Sequence, residues 1–192
     1  MTSEHEQLTW AARLLGRLLV RELDGATLDE LSAPEVAPLV ESIGIPLPAA
    51  SELDELAHQW LAAFLHPQGG SPPVHSLYRD GGYQGDPAAA VRRIGEAAGL
   101  EIAPGARNAP VDHIGCILLL WSETALDRPE LADILVQEHL DWATHALSPT
   151  AGGAADSFYP CVARTTLAFI RQLLDRQESQ STADPASGGP ST

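Results

Sequence analysis

The feature that most constrains this fold is an apolar segment that follows Pro110. Five apolar residues succeed one another at Ile117–Trp121. A helix through them is therefore apolar around its whole circumference, and such a helix is stable only where other elements cover every side. The segment predicts a central helix and requires the rest of the chain to form walls around it.

The apolar spacing elsewhere is also helical, and helix start and stop signals recur at regular intervals. We therefore predict an all-α, single-domain helical bundle over residues 1–178. Residues 179–192 are rich in Ser, Gly, Pro and Thr, which predicts a disordered tail. The predicted helices run from Ser3 to Gly25, Ser32 to Gly44, Ser51 to Pro67, Asp86 to Gly99, Pro110 onward, Asp127 through Trp142, and Asp156 to Glu178.

A long loop separates the third and fourth main helices. Residues 66–86 contain five glycines and three prolines, with a short helical turn expected around Val74 to Tyr78. A loop of this length inside a compact domain is uncommon unless it is functional. The loop is thus a candidate recognition element.

The charged residues of the chain, which include no lysine, exclude several chemistries. The formal net charge is -15, and all 11 basic residues are arginines. Without lysine there is no Walker-type phosphate loop, no Schiff base and no lysine-attached cofactor. No other cofactor motif is identified, and we predict no cofactor. So acidic a surface repels nucleic acid and attracts basic segments, although the acidity could also serve solubility alone.

The sequence also bears on the compartment. No apolar run approaches the ~20 residues of a membrane span, so no stable membrane insertion is expected. The first residues lack the basic and apolar regions of a secretory signal. The two cysteines, Cys116 and Cys161, are too few for a disulfide framework. These features predict a cytoplasmic protein.

Two enzymatic interpretations can be drawn from the same residues. Ser76, His113 and Asp112 suggest a nucleophilic triad, but adjacent helical residues project about 100° apart, which places Asp112 poorly for orienting His113. His113 and Cys116, with His75, suggest a metal site that lacks a fourth ligand. A small metal-dependent hydrolase therefore stays an alternative, while we predict neither a catalytic residue nor a metal.

Four segments together resemble the TorD/DmsD family of redox-enzyme maturation chaperones. The resemblance covers nearly all of the predicted folded body, and the third segment is the most specific. The four are Trp60-x-x-x-Phe64-x-x-Pro67, Ser71-Pro72-Pro73-x-x-Ser76-x-Tyr78, Pro110-x-Asp112-His113, and His139-Leu140-x-Trp142 with Phe158-Tyr159 beyond it.

The resemblance implies a non-enzymatic chaperone that binds the twin-arginine leader of a molybdenum-cofactor-containing oxidoreductase and holds back export until the cofactor is loaded. In this view Asp112 pairs with an arginine of the leader, so Asp112→Ala would weaken binding and leave folding largely intact. The implied leader-binding residues are Trp60, Phe64, Ser76, Tyr78, Asp112 and His113.

Two departures from the family pattern leave the identity of the client enzyme open. Ala109 stands where many relatives have glutamate, and Ala63 stands where leucine is frequent. An assembly chaperone for the mature body of a membrane-bound reductase, of the nitrate-reductase-assembly type, is the principal alternative. The resemblance allows either a monomer or a dimer that is domain-swapped through the long loop.

Overall fold

The computed structural model describes residues 4–64, 72–100 and 109–183. Within these ranges the chain is helical and contains no strand, which confirms the prediction of an all-α bundle. A 3₁₀ turn, Ala50–Glu52, precedes α4. The helices are α1 (Glu4–Val20), α2 (Gly25–Leu31), α3 (Ala37–Ser42), α4 (Leu53–Phe64), α5 (His75–Asp80), α6 (Asp86–Ala97), α7 (Ile114–Thr124), α8 (Pro129–His139), α9 (Ala143–Ala151) and α10 (Phe158–Ala183).

The apolar helix predicted after Pro110 is the centre of the bundle. Helix α7 packs most extensively against α1 and also contacts α8. Within α7, Ile114, Ile117 and Leu118 are completely buried, and Glu123 is exposed. Helix α10 packs against α9, α1, α8 and α4, so it closes the bundle on another side. The short helix α5 packs on α6.

Two glycines allow α1 and α7 to approach closely. A Cβ atom added to Gly16 would lie 2.8 Å from the carbonyl oxygen of Gly115, and one added to Gly115 would lie 2.7 Å from the carbonyl oxygen of Gly16. Backbone atoms cannot move aside as a flexible side chain can. The contact between the two central helices therefore depends on both glycines.

We expect Gly16→Ala to lower the free energy of unfolding by about 1–3 kcal/mol, the usual effect of overpacking a core. Gly95→Ala is the matched control, because Gly95 also lies inside a helix but nothing stands within 4 Å of its added Cβ. Helix propensity predicts that this control raises stability by up to about 1 kcal/mol. Urea denaturation of both variants checks the pair, and equal effects would contradict the close approach.

Helix α2 is not among the predicted helices, because a glycine such as Gly25 is typical of a helix end. The first helix instead ends at Val20, and Gly25 begins a new one. Asp24 is the N-cap of α2, and its side chain accepts a hydrogen bond from the Thr27 N–H at 2.8 Å. An acidic N-cap at that position was the signal that could have identified the helix.

Helix α9 is not predicted as a separate element, because the helix predicted to start at Asp127 continues through Trp142. In the structure α8 ends at His139, and α9 begins at Ala143. The indole N–H of Trp142 donates to the carbonyl oxygen of His139 at 2.8 Å. In a continuous helix a backbone N–H would donate to this carbonyl oxygen of His139, but here the Trp142 side chain does so. The chain turns at this point.

Other predictions fall partly outside the described residues. The helical turn predicted within the long loop is confirmed as α5, whereas residues 65–71 of that loop lie outside the described ranges. Helix α10 continues to Ala183, beyond the predicted boundary at Glu178, and residues 184–192 are not described. None of the helices in the described ranges combines the length and hydropathy required to cross a membrane.

Candidate functional site

Helix α5 is attached to the segment that precedes α7. Val74, just before α5, pairs with His113 in an isolated antiparallel bridge. Beside it, the His75 N–H donates to the carbonyl oxygen of Asp112 at 3.0 Å. The Pro-Pro motif of the long loop and the Asp-His motif before α7 are therefore held together by backbone hydrogen bonds.

The carboxylate of Asp112 caps α5. Its Oδ2 accepts hydrogen bonds from the Ser76 N–H at 2.7 Å and from the Ser76 hydroxyl at 2.5 Å. Asp112 and Ser76 are both completely buried. The sequence had placed Asp112 in the first turn of its own helix, but the residue precedes α7 and satisfies the N-terminus of a different helix.

Ser76 in turn caps α6. Its hydroxyl oxygen accepts hydrogen bonds from the Gly85 N–H at 3.1 Å and from the Ala88 N–H at 3.3 Å. We call these hydrogen bonds, from Asp112 through Ser76 to Gly85 and Ala88, the cap relay. The cap relay joins the starts of α5 and α6 to the segment before α7.

His113 is the N-cap of α7. Its Nδ1 accepts a hydrogen bond from the Gly115 N–H at 3.0 Å, so the proton of the neutral ring is on Nε2. Burial lowers the pKa of His113 to about 4, even though neighbouring Asp112 acts to raise it. Since the Ser76 hydroxyl is bonded to Asp112 and Nδ1 of His113 is occupied, these three residues do not form a nucleophilic triad.

A second cluster lies on the other side of α5. The His75 ring stacks on Trp142, with ring centroids 5.0 Å apart, and its Nδ1 lies 3.3 Å from Nδ1 of His139. Burial lowers the pKa of both histidines, and His75 lowers that of His139 further. With both rings neutral, one Nδ1 donates this hydrogen bond and the other accepts it. Tyr78 lies against Trp142 at 5.2 Å and is 37% exposed.

A cavity of about 350 Å³ lies beside the cap relay. Oδ1 of Asp112 is buried and has no hydrogen-bond partner in the described part of the chain. A buried carboxylate oxygen without a donor is costly, so this atom is a candidate for ligand binding. The cavity is lined by Tyr83, Gln84, Ala88, Arg92, Ala109, Pro110, Val111 and Asp112.

The aromatic pair of the predicted site lies elsewhere, on α4. Phe64 is only 1% exposed, and its ring contacts Tyr159 of α10 edge-on at 5.8 Å. Trp60 contacts Phe64 at 6.3 Å and is half-buried. Phe64 is therefore a core residue, whereas Trp60 presents part of its ring to solvent. Ser76, Tyr78, Asp112 and His113 are the predicted site residues that the structure brings together.

The hydrolase alternative gains no support from this geometry. Among the described residues, no group of three or more His, Cys, Asp or Glu side chains is arranged to hold a metal ion. Burial raises the pKa of Cys116 to about 12, which keeps its thiol protonated and unreactive at neutral pH.

Four residues of this region were absent from the predicted site. His139 and Trp142 belonged to a recognised motif, and their i, i+3 spacing could have indicated a shared cluster. Tyr83 and Arg92 line the cavity. They become neighbours only through the turn between α5 and α6, and no motif in the sequence marks that proximity.

Comparison with known proteins identifies the family. Searches of curated proteins and of solved structures gave no match. The family model described as nitrate reductase delta subunit matches residues 26–147, which run from the second residue of α2 past the end of α8 and include all of the cap relay. The chain therefore belongs to the nitrate reductase delta subunit family, a family of non-catalytic molybdoenzyme assembly chaperones within the TorD/DmsD group.

Proposed function

We propose that this chaperone binds the twin-arginine leader of a molybdenum-cofactor-containing oxidoreductase in the cytoplasm and holds back export until the cofactor is loaded. The observation that carries the proposal is the unpartnered, buried Oδ1 of Asp112, a residue that lines an open cavity. A leader combines two arginines with an apolar stretch, so its guanidinium groups are suitable donors for this oxygen.

The accessible surfaces near the cap relay suit the rest of such a leader. Tyr78 is partly exposed on α5 and rests on Trp142, which gives an aromatic surface for apolar side chains. Away from the cap relay, Trp60 offers a second, partly exposed aromatic ring on α4. The net charge of -15 favours approach of a basic segment at low salt. His113 and Ser76 contribute by holding Asp112 and α5 in place.

Leader binding can be tested by fluorescence anisotropy. The probe is a labelled leader peptide of a molybdenum oxidoreductase encoded in the same genome, compared with a peptide whose arginine pair is replaced by glutamines. We expect the glutamine peptide to bind at least about tenfold more weakly, because it loses the charged hydrogen bonds. Equal affinity for the two peptides would contradict the proposal.

A separate variant tests the role of Asp112 in leader binding. Asp112→Asn keeps the side-chain volume and one acceptor oxygen, and we expect it to weaken leader binding by about 1.5 to 3 kcal/mol. Circular dichroism at the assay temperature separates loss of binding from loss of fold. A folded variant with unchanged affinity would remove Asp112 from the binding site.

A second candidate function is assembly of the mature body of a membrane-bound reductase. The description of the matching family, nitrate reductase delta subunit, favours it. This candidate predicts that the chaperone binds the client subunit equally well with and without its leader. A pull-down with both forms of the client decides between them, since a leader-binding chaperone retains only the precursor.

A further inference from the structure

Tyr83 is the aromatic residue that lines the cavity. It is 57% exposed, which is unusual for a ring at the edge of a pocket. Its ring makes no hydrogen bond or ring contact with any other described residue. Tyr83 therefore presents an exposed aromatic ring at a cavity whose lining also includes the buried Asp112.

The turn that carries Tyr83 is fixed at its ends and open at its tip. At one end the Gly85 N–H donates to Ser76, and the adjacent Asp86 N–H donates to the carboxylate of Asp80 at 3.2 Å. Gln84 adopts the left-handed conformation at φ 64°, which non-glycine residues rarely adopt. The position of Tyr83 is thus coupled to Asp112 through the cap relay.

The lining residues indicate the charge of the occupant. Oδ1 of Asp112 requires a hydrogen-bond donor, and an aromatic face attracts a cation through its quadrupole. Arg92 opposes a cation, but its side chain is exposed and is screened by solvent and salt. Asp112 is completely buried and is screened far less, so the cavity favours a cationic donor.

We propose that the cavity takes one arginine side chain of the client and that Tyr83 determines its specificity by stacking on the guanidinium group. This inference rests on the proposed binding of an arginine-bearing leader. Arginine fits better than lysine, because its planar group can stack on a ring and donate a hydrogen bond to Asp112 at the same time. An ammonium group cannot stack in this way.

Anisotropy titrations with leader peptides test the specificity. The probes are the Arg-Arg peptide and a matched Lys-Lys peptide, each titrated with wild type, Tyr83→Ala and Tyr83→Phe. Tyr83→Ala is expected to bind the Arg-Arg peptide about three- to tenfold more weakly and to lose preference over Lys-Lys. Tyr83→Phe keeps the ring and should bind as wild type does.

Arg92 supplies an independent test of the occupant's charge. Arg92→Gln should bind the Arg-Arg peptide about two- to fivefold more tightly at low salt, because it removes a repulsive charge from the wall of the cavity. Arg93→Gln is the matched control, since Arg93 is also exposed on α6 and carries the same charge but does not line the cavity. Its effect on affinity should be smaller.

The outcomes separate this inference from the function on which it rests. If wild type binds the Arg-Arg peptide and Tyr83→Ala binds it equally well, the inference fails and leader binding stands. If Arg92→Gln weakens binding of the Arg-Arg peptide, Arg92 does not repel the occupant and the inference is again wrong. If wild type binds neither peptide, leader binding itself is overturned, together with this subsite.

Discussion

Asp112→Ala is expected to lower the free energy of unfolding by about 2 to 6 kcal/mol, because it leaves two buried hydrogen-bond donors unsatisfied at about 1 to 3 kcal/mol each. The substitution leaves the N–H and the hydroxyl of Ser76 without their acceptor in a completely buried site. This differs from the sequence-based expectation that folding would be largely intact. Chemical denaturation of the purified variant measures the change.

Two further variants test whether the loss of stability comes from the cap relay. Asp29→Ala removes an exposed aspartate from α2 and should change stability by less than about 0.5 kcal/mol. Ser76→Ala should be destabilising as well, and the double variant should lose less than the sum of the two single losses, because both act on one hydrogen-bonded pair. Additive losses, or an Asp112→Ala effect below 1 kcal/mol, would show that the cap relay contributes little.

Acidification is expected to destabilise the protein well before its carboxyl groups titrate. The pKa of His113 is about 4 in the folded chain against 6.5 in the unfolded chain. Because the folded pKa is depressed, this stabilisation is fully present above pH 6.5 and is lost as pH falls toward 4. The shift corresponds to about 3 kcal/mol for His113. His75 and His139, whose pKa values are also lowered by burial, add to the loss in the same direction.

Unfolding free energies measured between pH 7.5 and 4.5 check this dependence. His113→Asn offers the control, because asparagine is a favoured N-cap residue and does not titrate in this range. The variant should show a shallower decline between pH 6.5 and 4.5 than wild type. An identical slope in the two proteins would mean that His113 is not the residue responsible for the acid sensitivity.

Local patterns predicted the main helices well. The apolar run of α7 and the break around residues 66–86 were sufficient to place the central helix and the segment with α5. The boundary between α8 and α9 was not predictable in this way, since it depends on the side chain of Trp142 bonding to a backbone carbonyl. Apolar periodicity predicts which face of a helix is buried. It does not predict that a side chain will compete with the backbone for one carbonyl oxygen.

The candidate site was only partly predictable for a related reason. The motifs identified Ser76, Asp112 and His113 as special, and the structure places all three at the junction of α5 and α7. What the sequence did not show is that each of them also caps a helix, because the capped partner of Asp112 lies far away along the chain. The sequence could not show that Phe64 is buried in the core while Trp60 is partly exposed, because this difference depends on the packing of α10.

The cap relay also has a consequence for how this region opens. The first turns of α5 and α6 obtain their N-terminal acceptors from outside their own helices, and a short helix such as α5 has little intrinsic stability. When α5 unfolds and Ser76 moves, the Gly85 and Ala88 N–H groups at the start of α6 lose their acceptor. The starts of α5 and α6 and the turn that carries Tyr83 therefore open and close as one cooperative unit, and a client that contacts any part of it acts on the whole.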